Sequence, residues 1–223
     1  MSIGRFSGAV LTGGGSRRMG VDKAFIEIDG VPLAVRAARA LAEAGSNDVF
    51  TVGGEGSRLL SLGLCHVRDG WPGEGPLGGL ITALGSAENE IVVVLATDLA
   101  QISAGALRDL ALACTTANPV AVPGIGGPLE VLQAAYRRSL LPLLSSQFER
   151  GERSIFRSLA LLGLSPVRID VRVARDLDTP EDLAGFITGA DDPAPPAEPE
   201  GVRAPRERPG TRRGSDGGAT GER

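Results

Sequence analysis

Histidine, cysteine and aromatic residues are scarce in this chain of 223 residues. His66 is its only histidine, which leaves a histidine-based catalytic triad or a multi-histidine zinc site hard to build. We interpret it as a packing or surface residue. Cys65 and Cys114 are isolated from each other in the sequence, and neither has a CxxC motif or a histidine-rich partner that suggests a metal site. They are expected to be reduced, half-buried thiols of a cytosolic protein.

The sequence also lacks long apolar runs and a strong excess of one charge. No segment approaches the ~20 apolar residues of a membrane helix, and the start, MSIGRFSGAV, has too short an apolar run for a signal peptide. We therefore expect a cytoplasmic protein without a membrane partner. A formal net charge of −4 argues against bulk electrostatic binding of nucleic acid. Because aromatics make up only 4% of the chain, aliphatic side chains must fill the core.

Short apolar runs alternate with longer segments of helical spacing. The runs predict buried strands at residues 8–11, 49–52, 63–67, 91–96 and 120–122. Helices are predicted at residues 33–44, 77–87, 140–150 and 154–162, and a further helix runs from a Ser103 cap to about residue 116. Near-continuous apolar strands separated by helices predict an α/β fold with a mostly parallel central sheet and helices on both faces.

The composition changes after about residue 187. Residues 188–223 contain six prolines and seven glycines, no aromatics, and Val202 as their only large aliphatic residue. Such a segment buries too little surface to offset the entropy of ordering, so we predict a disordered tail after a domain of residues 1–187. Its six arginines are balanced by seven acidic residues, so we do not interpret the tail as a basic arm that binds nucleic acid.

The loop after the first predicted strand reads VLTGGGSRRMGVDKAF, residues 10–25. Consecutive glycines let a ligand approach the backbone N–H groups, and the nearby basic residues add positive charge, so a phosphate-bearing ligand is favoured over a simple flexible turn. Lys23 is the only lysine among the 23 lysine and arginine residues. The Walker A pattern GxxxxGK[ST] fails because Val-Asp follows its second glycine, and the dinucleotide pattern GxGxxG fails at Arg18.

The segment LTGGGSRRMGVDKA resembles the loop L-[AT]-G-G-x-S-x-R-M-G-x-D-K of molybdenum cofactor guanylyltransferases and related nucleotidyltransferases. The resemblance extends over nearly all of residues 6–187. Asp69 with GPLGGL resembles the family's D…GPLAG segment, and the Ala-Thr-Asp ending at Asp98 resembles its C-D-x-P metal-binding turn. DTPEDL, starting at Asp178, is similar to N-T-P-E-D-L. The resemblance implies a three-layer, Rossmann-like nucleotidyltransferase fold.

The implied activity is Mg²⁺-dependent transfer of GMP from GTP to the phosphate of molybdopterin, with release of pyrophosphate. Catalysis would then rest on positioning and electrostatics without a covalent nucleophile. The Gly13-Gly14 pair resembles the guanine-selecting version of the loop, whereas cytidylyl relatives tend to carry L-A-A-G. The resemblance also implies handover of the product to a molybdoenzyme or its chaperone.

The resemblance assigns roles residue by residue. The nucleotide would be bound by Leu11, Thr12, Gly13, Gly14, Gly15, Ser16, Arg17, Lys23, Asp69 and Asp98. Lys23, Arg18 and Asp98 would be catalytic, the two basic residues together with Arg17 holding the triphosphate. Asp98 would bind Mg²⁺ with Asp178 as a possible second ligand. Solvated charges remain an alternative for Arg17 and Arg18, and a turn residue for Asp98.

Four positions depart from the family pattern. Gly53 replaces an asparagine that contacts the nucleotide, Ala100 replaces a proline, Asp178 replaces an asparagine, and Glu130 begins an altered Q-P-L segment. These departures place the acceptor in more doubt than the transfer reaction. A sugar phosphate or another cofactor phosphate as acceptor, and a non-catalytic nucleotide-binding relative, are the alternative hypotheses.

Overall fold

The computed structural model describes residues 5–13, 22–97, 103–124, 129–162, 164 and 166–169. All of them belong to the compact unit Met1–Asp191. Residues 14–21 of the glycine loop, the Asp98 turn, the Asp178 motif and the tail from residue 188 lie outside the described residues. The domain boundary at residue 187 and the disorder of the tail therefore stay predictions.

Most of the described strands form one sheet. Along the chain the strands are β1 (Ser7–Leu11), β2 (Glu27–Ile28), β3 (Val31–Pro32), β4 (Asp48–Val52), β5 (His66–Val67), β6 (Ile91–Ala96), β7 (Val120–Pro123), β8 (Gln133–Arg137) and β9 (Val167–Ile169). The seven-stranded sheet has the order β5-β4-β1-β6-β8-β7-β9, and β2 pairs separately with β3. Among the described strands of the large sheet, only β8 runs antiparallel to its neighbours. The carboxyl ends of β1, β4, β5 and β6 consequently lie at one edge.

Helices cover both faces of this sheet. They are α1 (Leu33–Glu43), α2 (Gly56–Ser61), α3 (Pro76–Ser86), α4 (Ala104–Ala113), α5 (Leu141–Glu149) and α6 (Ile155–Leu161), with 3-10 turns at Lys23–Phe25 and Arg138–Leu140. Ala9 and Leu11 of β1 pack in the core under α3, α5 and α6, whereas Val10 packs in the core under α1 and α4. Alternate residues of β1 are thus buried on opposite faces, which explains its unbroken apolar sequence. The predicted three-layer α/β fold is confirmed.

Most predicted elements occur at their predicted positions. β6 has the predicted bounds, and Ser103 caps α4 by accepting a hydrogen bond from the Ala106 N–H at 3.1 Å. The other predicted strands and helices are shifted at their ends by a few residues. The hairpin of β2 and β3, the short helix α2 and the strands β8 and β9 were not predicted. No helix in the described ranges is long and apolar enough to cross a membrane.

The two cysteines are free but differ in their surroundings. Cys65 is exposed and Cys114 is buried, so the expectation that both are half-buried is wrong. Burial raises the pKa of the Cys114 thiol to about 12, although the nearby Arg137 opposes the shift. His66 is half-buried, and its Nδ1 lies 3.2 Å from the Thr51 hydroxyl. This agrees with its interpretation as a packing residue.

Gln133, at the start of β8, has a side chain that should destabilise the folded state. Its side chain is fully buried, and neither Oε1 nor Nε2 hydrogen bonds within the part of the chain that the structure describes. A buried amide without partners destabilises the folded state by about 1–3 kcal/mol. We therefore expect Gln133→Met, which keeps the length of the side chain, to raise the free energy of unfolding by about 1 kcal/mol in urea denaturation.

Thr51 supplies the matched control for this prediction. It is also fully buried, but its hydroxyl donates to the Cys65 carbonyl oxygen at 3.0 Å. Thr51→Val removes a satisfied group, so it should lower the free energy of unfolding by about 1 kcal/mol. If both variants were destabilised alike, the missing hydrogen bonds of Gln133 would not be an energetic liability.

Candidate active site

The predicted nucleotide loop begins where β1 meets β4. The N–H groups of Thr12 and Gly13 both donate to the Val52 carbonyl oxygen, at 2.9 and 3.2 Å. The Thr12 hydroxyl lies 2.7 Å from the Gly53 carbonyl oxygen, so this buried side chain is engaged within the protein. Leu11 is also buried. Of Leu11, Thr12 and Gly13, it is Gly13 whose backbone is exposed and can contact a ligand.

Two glycines after β4 allow the chain to pass close to this loop. Gly53 and Gly54 have φ angles of 75° and 72°, in the region where glycine is favoured. A Cβ atom on Gly53 would lie 3.1 Å from the Gly13 Cα, and one on Gly54 would lie 2.8 Å from the Thr12 carbonyl oxygen. A side chain at position 53 would therefore press on the Gly13 backbone.

Asp69 lies beside these glycines, on the loop that follows β5. Its Cβ would be 3.4 Å from a Cβ on Gly53, and its Oδ2 would be 3.8 Å from a Cβ on Gly13. The structure thus brings together Thr12, Gly13 and Asp69, which are far apart in sequence. An acceptor-only carboxylate facing exposed backbone can bind the adjacent N–H donors of a ligand.

The Asp69 carboxylate is held by hydrogen bonds to one of its oxygens. Oδ1 accepts from the Thr82 hydroxyl at 3.1 Å and from the Trp71 N–H at 3.0 Å. Neither Thr82 nor Trp71 was predicted as a site residue. Thr82 lies in α3, thirteen positions from Asp69 along the chain, and no motif links the two. Only the docking of α3 against the loop makes them neighbours.

The GPLGGL segment forms the start of α3 next to this loop. Gly75 has a φ of 93°, and Pro76 occupies the first turn of the helix. A Cβ on Gly78 would lie 2.8 Å from the Trp71 Cβ, so the glycine lets the loop pack on the helix. The Trp71 ring packs against the Phe148 ring, with the ring centroids 4.9 Å apart. These contacts fix the loop that carries Asp69.

Lys23 lies on the first 3-10 turn, whose backbone is well anchored. Asp22 caps the turn by accepting from the Ala24 N–H at 3.0 Å. Ala24 and Phe25 are buried in a small core that also includes residues of α1 and α2. The Arg58 guanidinium lies 3.9 Å from the centre of the Phe25 ring. The position of Lys23 is therefore determined by its buried neighbours.

Several predicted site residues lie outside the described ranges: Gly14, Gly15, Ser16, Arg17, Arg18, Asp98 and Asp178. Asp98 directly follows Thr97, which is buried at the carboxyl end of β6. Among the residues that the structure describes, no group of three His, Cys, Asp or Glu side chains could hold a metal ion. The metal ligands predicted from the sequence, Asp98 and Asp178, lie outside these residues, so their role stays a prediction.

Comparison with known proteins identifies a family and its fold. A family model described as "MobA-like NTP transferase domain" matches residues 8–163. The chain is 38% identical over 159 residues to a probable molybdenum cofactor guanylyltransferase from Opitutus terrae, covering 70% of this chain and 78% of the relative.

Two solved structures share the fold. One is molybdopterin-guanine dinucleotide biosynthesis protein A from Archaeoglobus fulgidus, with a TM-score of 0.68 and 22% identity, covering 82% of this chain and 98% of the other. The other is CMP:2-keto-3-deoxy-manno-octonic acid synthetase in complex with CTP, with a TM-score of 0.70 and 16% identity, covering 84% and 98%.

Proposed function

Because the chain belongs to the family of MobA-like NTP transferase domains, we infer that it transfers GMP from GTP to the phosphate of molybdopterin in molybdenum cofactor biosynthesis, releasing pyrophosphate. It acts as a nucleotidyltransferase of the guanylyltransferase type. The proposal rests on the sequence relationship and on the arrangement at the carboxyl edge of the sheet, where Gly13 meets Asp69.

The observation that carries the choice of nucleotide is the fixed carboxylate of Asp69. Its Oδ1 is occupied by two donors, while Oδ2 faces Gly13. Guanine presents N1–H and the 2-amino group side by side, and because Oδ1 is already engaged, the two lone pairs of Oδ2 would accept both donors. Adenine and cytosine present no such pair of adjacent ring N–H and amino donors. A guanine base beside Gly13 therefore fits the charge and hydrogen-bonding capacity of Asp69.

The transfer reaction requires no covalent intermediate on the protein. A phosphate oxygen of molybdopterin forms a bond to the α-phosphorus of GTP, and the bond from that phosphorus to the oxygen bridging the β-phosphate breaks. The electron pair leaves with pyrophosphate. The protein must hold two anionic substrates in line and stabilise the charge that develops on the leaving group.

We assign this electrostatic work to basic residues and carboxylates of the loop and strand ends. Lys23, Arg17 and Arg18 hold the triphosphate, and the backbone of Gly14 and Gly15 lets it approach closely. Asp98 and Asp178 would hold Mg²⁺. When bound, Mg²⁺ supplies positive charge to the phosphate oxygens. Transfer of the product to a molybdoenzyme or its chaperone, in the cytoplasm, completes the proposal.

An acceptor screen tests the proposal directly. The purified protein is incubated with Mg-GTP or Mg-CTP and with molybdopterin, a sugar 1-phosphate or no acceptor, and released pyrophosphate is measured. We expect turnover with molybdopterin, and kcat/KM for GTP to exceed that for CTP by at least about tenfold, the value of one lost hydrogen-bonded donor pair.

The other outcomes of this screen identify the alternatives. Turnover with a sugar 1-phosphate alone would reassign the acceptor and refute the molybdopterin proposal. Equal use of GTP and CTP would refute the guanine assignment. Tight GTP binding without turnover on any acceptor would point to a non-catalytic nucleotide-binding protein.

A further inference from the structure

Thr82 joins the second turn of α3 to the loop that carries Asp69. Its side-chain oxygen lies 3.1 Å from Oδ1 of Asp69, 3.1 Å from the Gly70 nitrogen and 3.0 Å from the Gly78 carbonyl oxygen. The residue is half-buried, and α3 itself packs into the core through Leu80 and Leu84. Thr82 is therefore a fixed point against which the loop is held.

The hydrogen-bonding capacity of a hydroxyl group decides what Thr82 can do there. It accepts a hydrogen bond from the Gly70 N–H, and it has a single hydrogen to donate. That hydrogen can serve either the Gly78 carbonyl oxygen or the Asp69 carboxylate. A bond to an ionised oxygen is the stronger of the two. Thr82 thus holds both Asp69 and the residue that follows it.

The two oxygens of the Asp69 carboxylate therefore differ in their surroundings. Thr82 and the Trp71 N–H both donate to Oδ1, which sets the plane of the carboxylate and leaves Oδ2 facing Gly13. Among the described residues, no side chain other than Thr82 donates to Asp69. On the β4 side of the site, Gly53 has no side chain that could share in recognition of a base.

We infer that Thr82 is a positioning residue that sets the preference for guanine by orienting Asp69. The inference rests on the proposed function, because it takes guanine as the base beside Gly13. Without the hydroxyl, the carboxylate can rotate and hydrate, so its alignment with the 2-amino group and N1–H is lost. The triphosphate contacts assigned to other residues are unaffected, so the effect is confined to base recognition.

The test compares GTP with ITP, which lacks the 2-amino group, in the full-length protein. Dissociation constants for both nucleotides are measured by titration calorimetry with Mg²⁺ for the wild type, Thr82→Val and Thr82→Ser. We expect the wild type to prefer GTP by about tenfold. Thr82→Val should weaken GTP binding about five- to tenfold and ITP binding much less, so that the preference nearly disappears. Thr82→Ser retains the hydroxyl and should retain the preference.

Steady-state kinetics and thermal unfolding separate positioning from a loss of structure. For Thr82→Val the KM for GTP should rise while kcat stays within about twofold, which is the pattern of lost ground-state binding. If Thr82→Val unfolds, Thr82→Ala replaces it with the same expected loss of preference. An unchanged ratio of GTP to ITP affinity in a folded variant, or equal affinities in the wild type, would overturn the inference.

The same measurements keep this inference distinct from the proposed function. Guanylyl transfer to molybdopterin with an unaltered GTP preference in Thr82→Val leaves the proposed function intact and refutes only the role of Thr82. Equal turnover with GTP and CTP in the wild type refutes the guanine assignment itself.

Discussion

Lys23→Arg should lower kcat/KM for guanylyl transfer by about 100-fold, equivalent to ~2.7 kcal/mol of transition-state stabilisation, although the charge is kept. The expected loss follows from shape. The lysine ammonium is a compact charge with three rotatable donors, whereas the arginine guanidinium is a broad planar fork. Because Arg17 and Arg18 are also proposed to contact the triphosphate, we expect enough space there for the lysine ammonium but not for a guanidinium.

The anchoring of the first 3-10 turn makes this prediction sharper. Asp22 caps the turn, and Ala24 and Phe25 are buried directly after Lys23. The backbone at Lys23 therefore cannot shift to accommodate a longer side chain without disturbing a packed core. The measurement is steady-state pyrophosphate release over a range of GTP concentrations, with thermal unfolding to confirm that the variant is folded.

Arg39→Lys is the matched control for this exchange. Arg39 is exposed on α1, so swapping the two basic side chains there should leave kcat/KM within about twofold. Near-normal activity of Lys23→Arg would show that only positive charge is needed at this position. The use of lysine at one position among 22 arginines would then have no catalytic explanation.

The sequence predicts the sheet strands β1, β4, β6 and β7 well because each is a largely buried apolar run. β6 was placed to the residue, since a run of six apolar residues, four of them β-branched, favours a strand buried on both faces. The hairpin of β2 and β3 was missed because each strand has only two residues. Its one local signal is the Asp29-Gly30 turn, where both residues have positive φ.

The candidate site was predictable only in part. The glycine loop and Asp69 stand out in the sequence because they match a spaced motif, and the fold brings Gly13 and Asp69 together. The contact between Thr82 and Asp69 depends on how α3 docks against the loop, which no local pattern records. Gly53 was visible as a departure from the family pattern, but its close approach to the Gly13 backbone required the structure.

Gly54→Ala should lower the free energy of unfolding by about 3 kcal/mol and abolish most GTP binding. The φ of Gly54 is 72°, which strains any residue with a Cβ. In addition, the new methyl group would lie 2.8 Å from the Thr12 carbonyl oxygen. Because that oxygen belongs to the backbone, relief requires the ends of β1 and β4 to separate, and Gly13 moves with them.

Gly63→Ala separates the backbone strain at positive φ from the steric contact with Thr12. Gly63 is also exposed and has a φ of 77°, but a Cβ there would meet nothing within 4 Å. It should therefore show the backbone strain alone, about 1 kcal/mol, with unchanged GTP affinity. Urea denaturation and calorimetry on both variants give the comparison. If the two variants lost equal stability and both bound GTP normally, the contact of Gly54 with Thr12 would be adjustable. The close approach of β1 and β4 would then not be what shapes the nucleotide site.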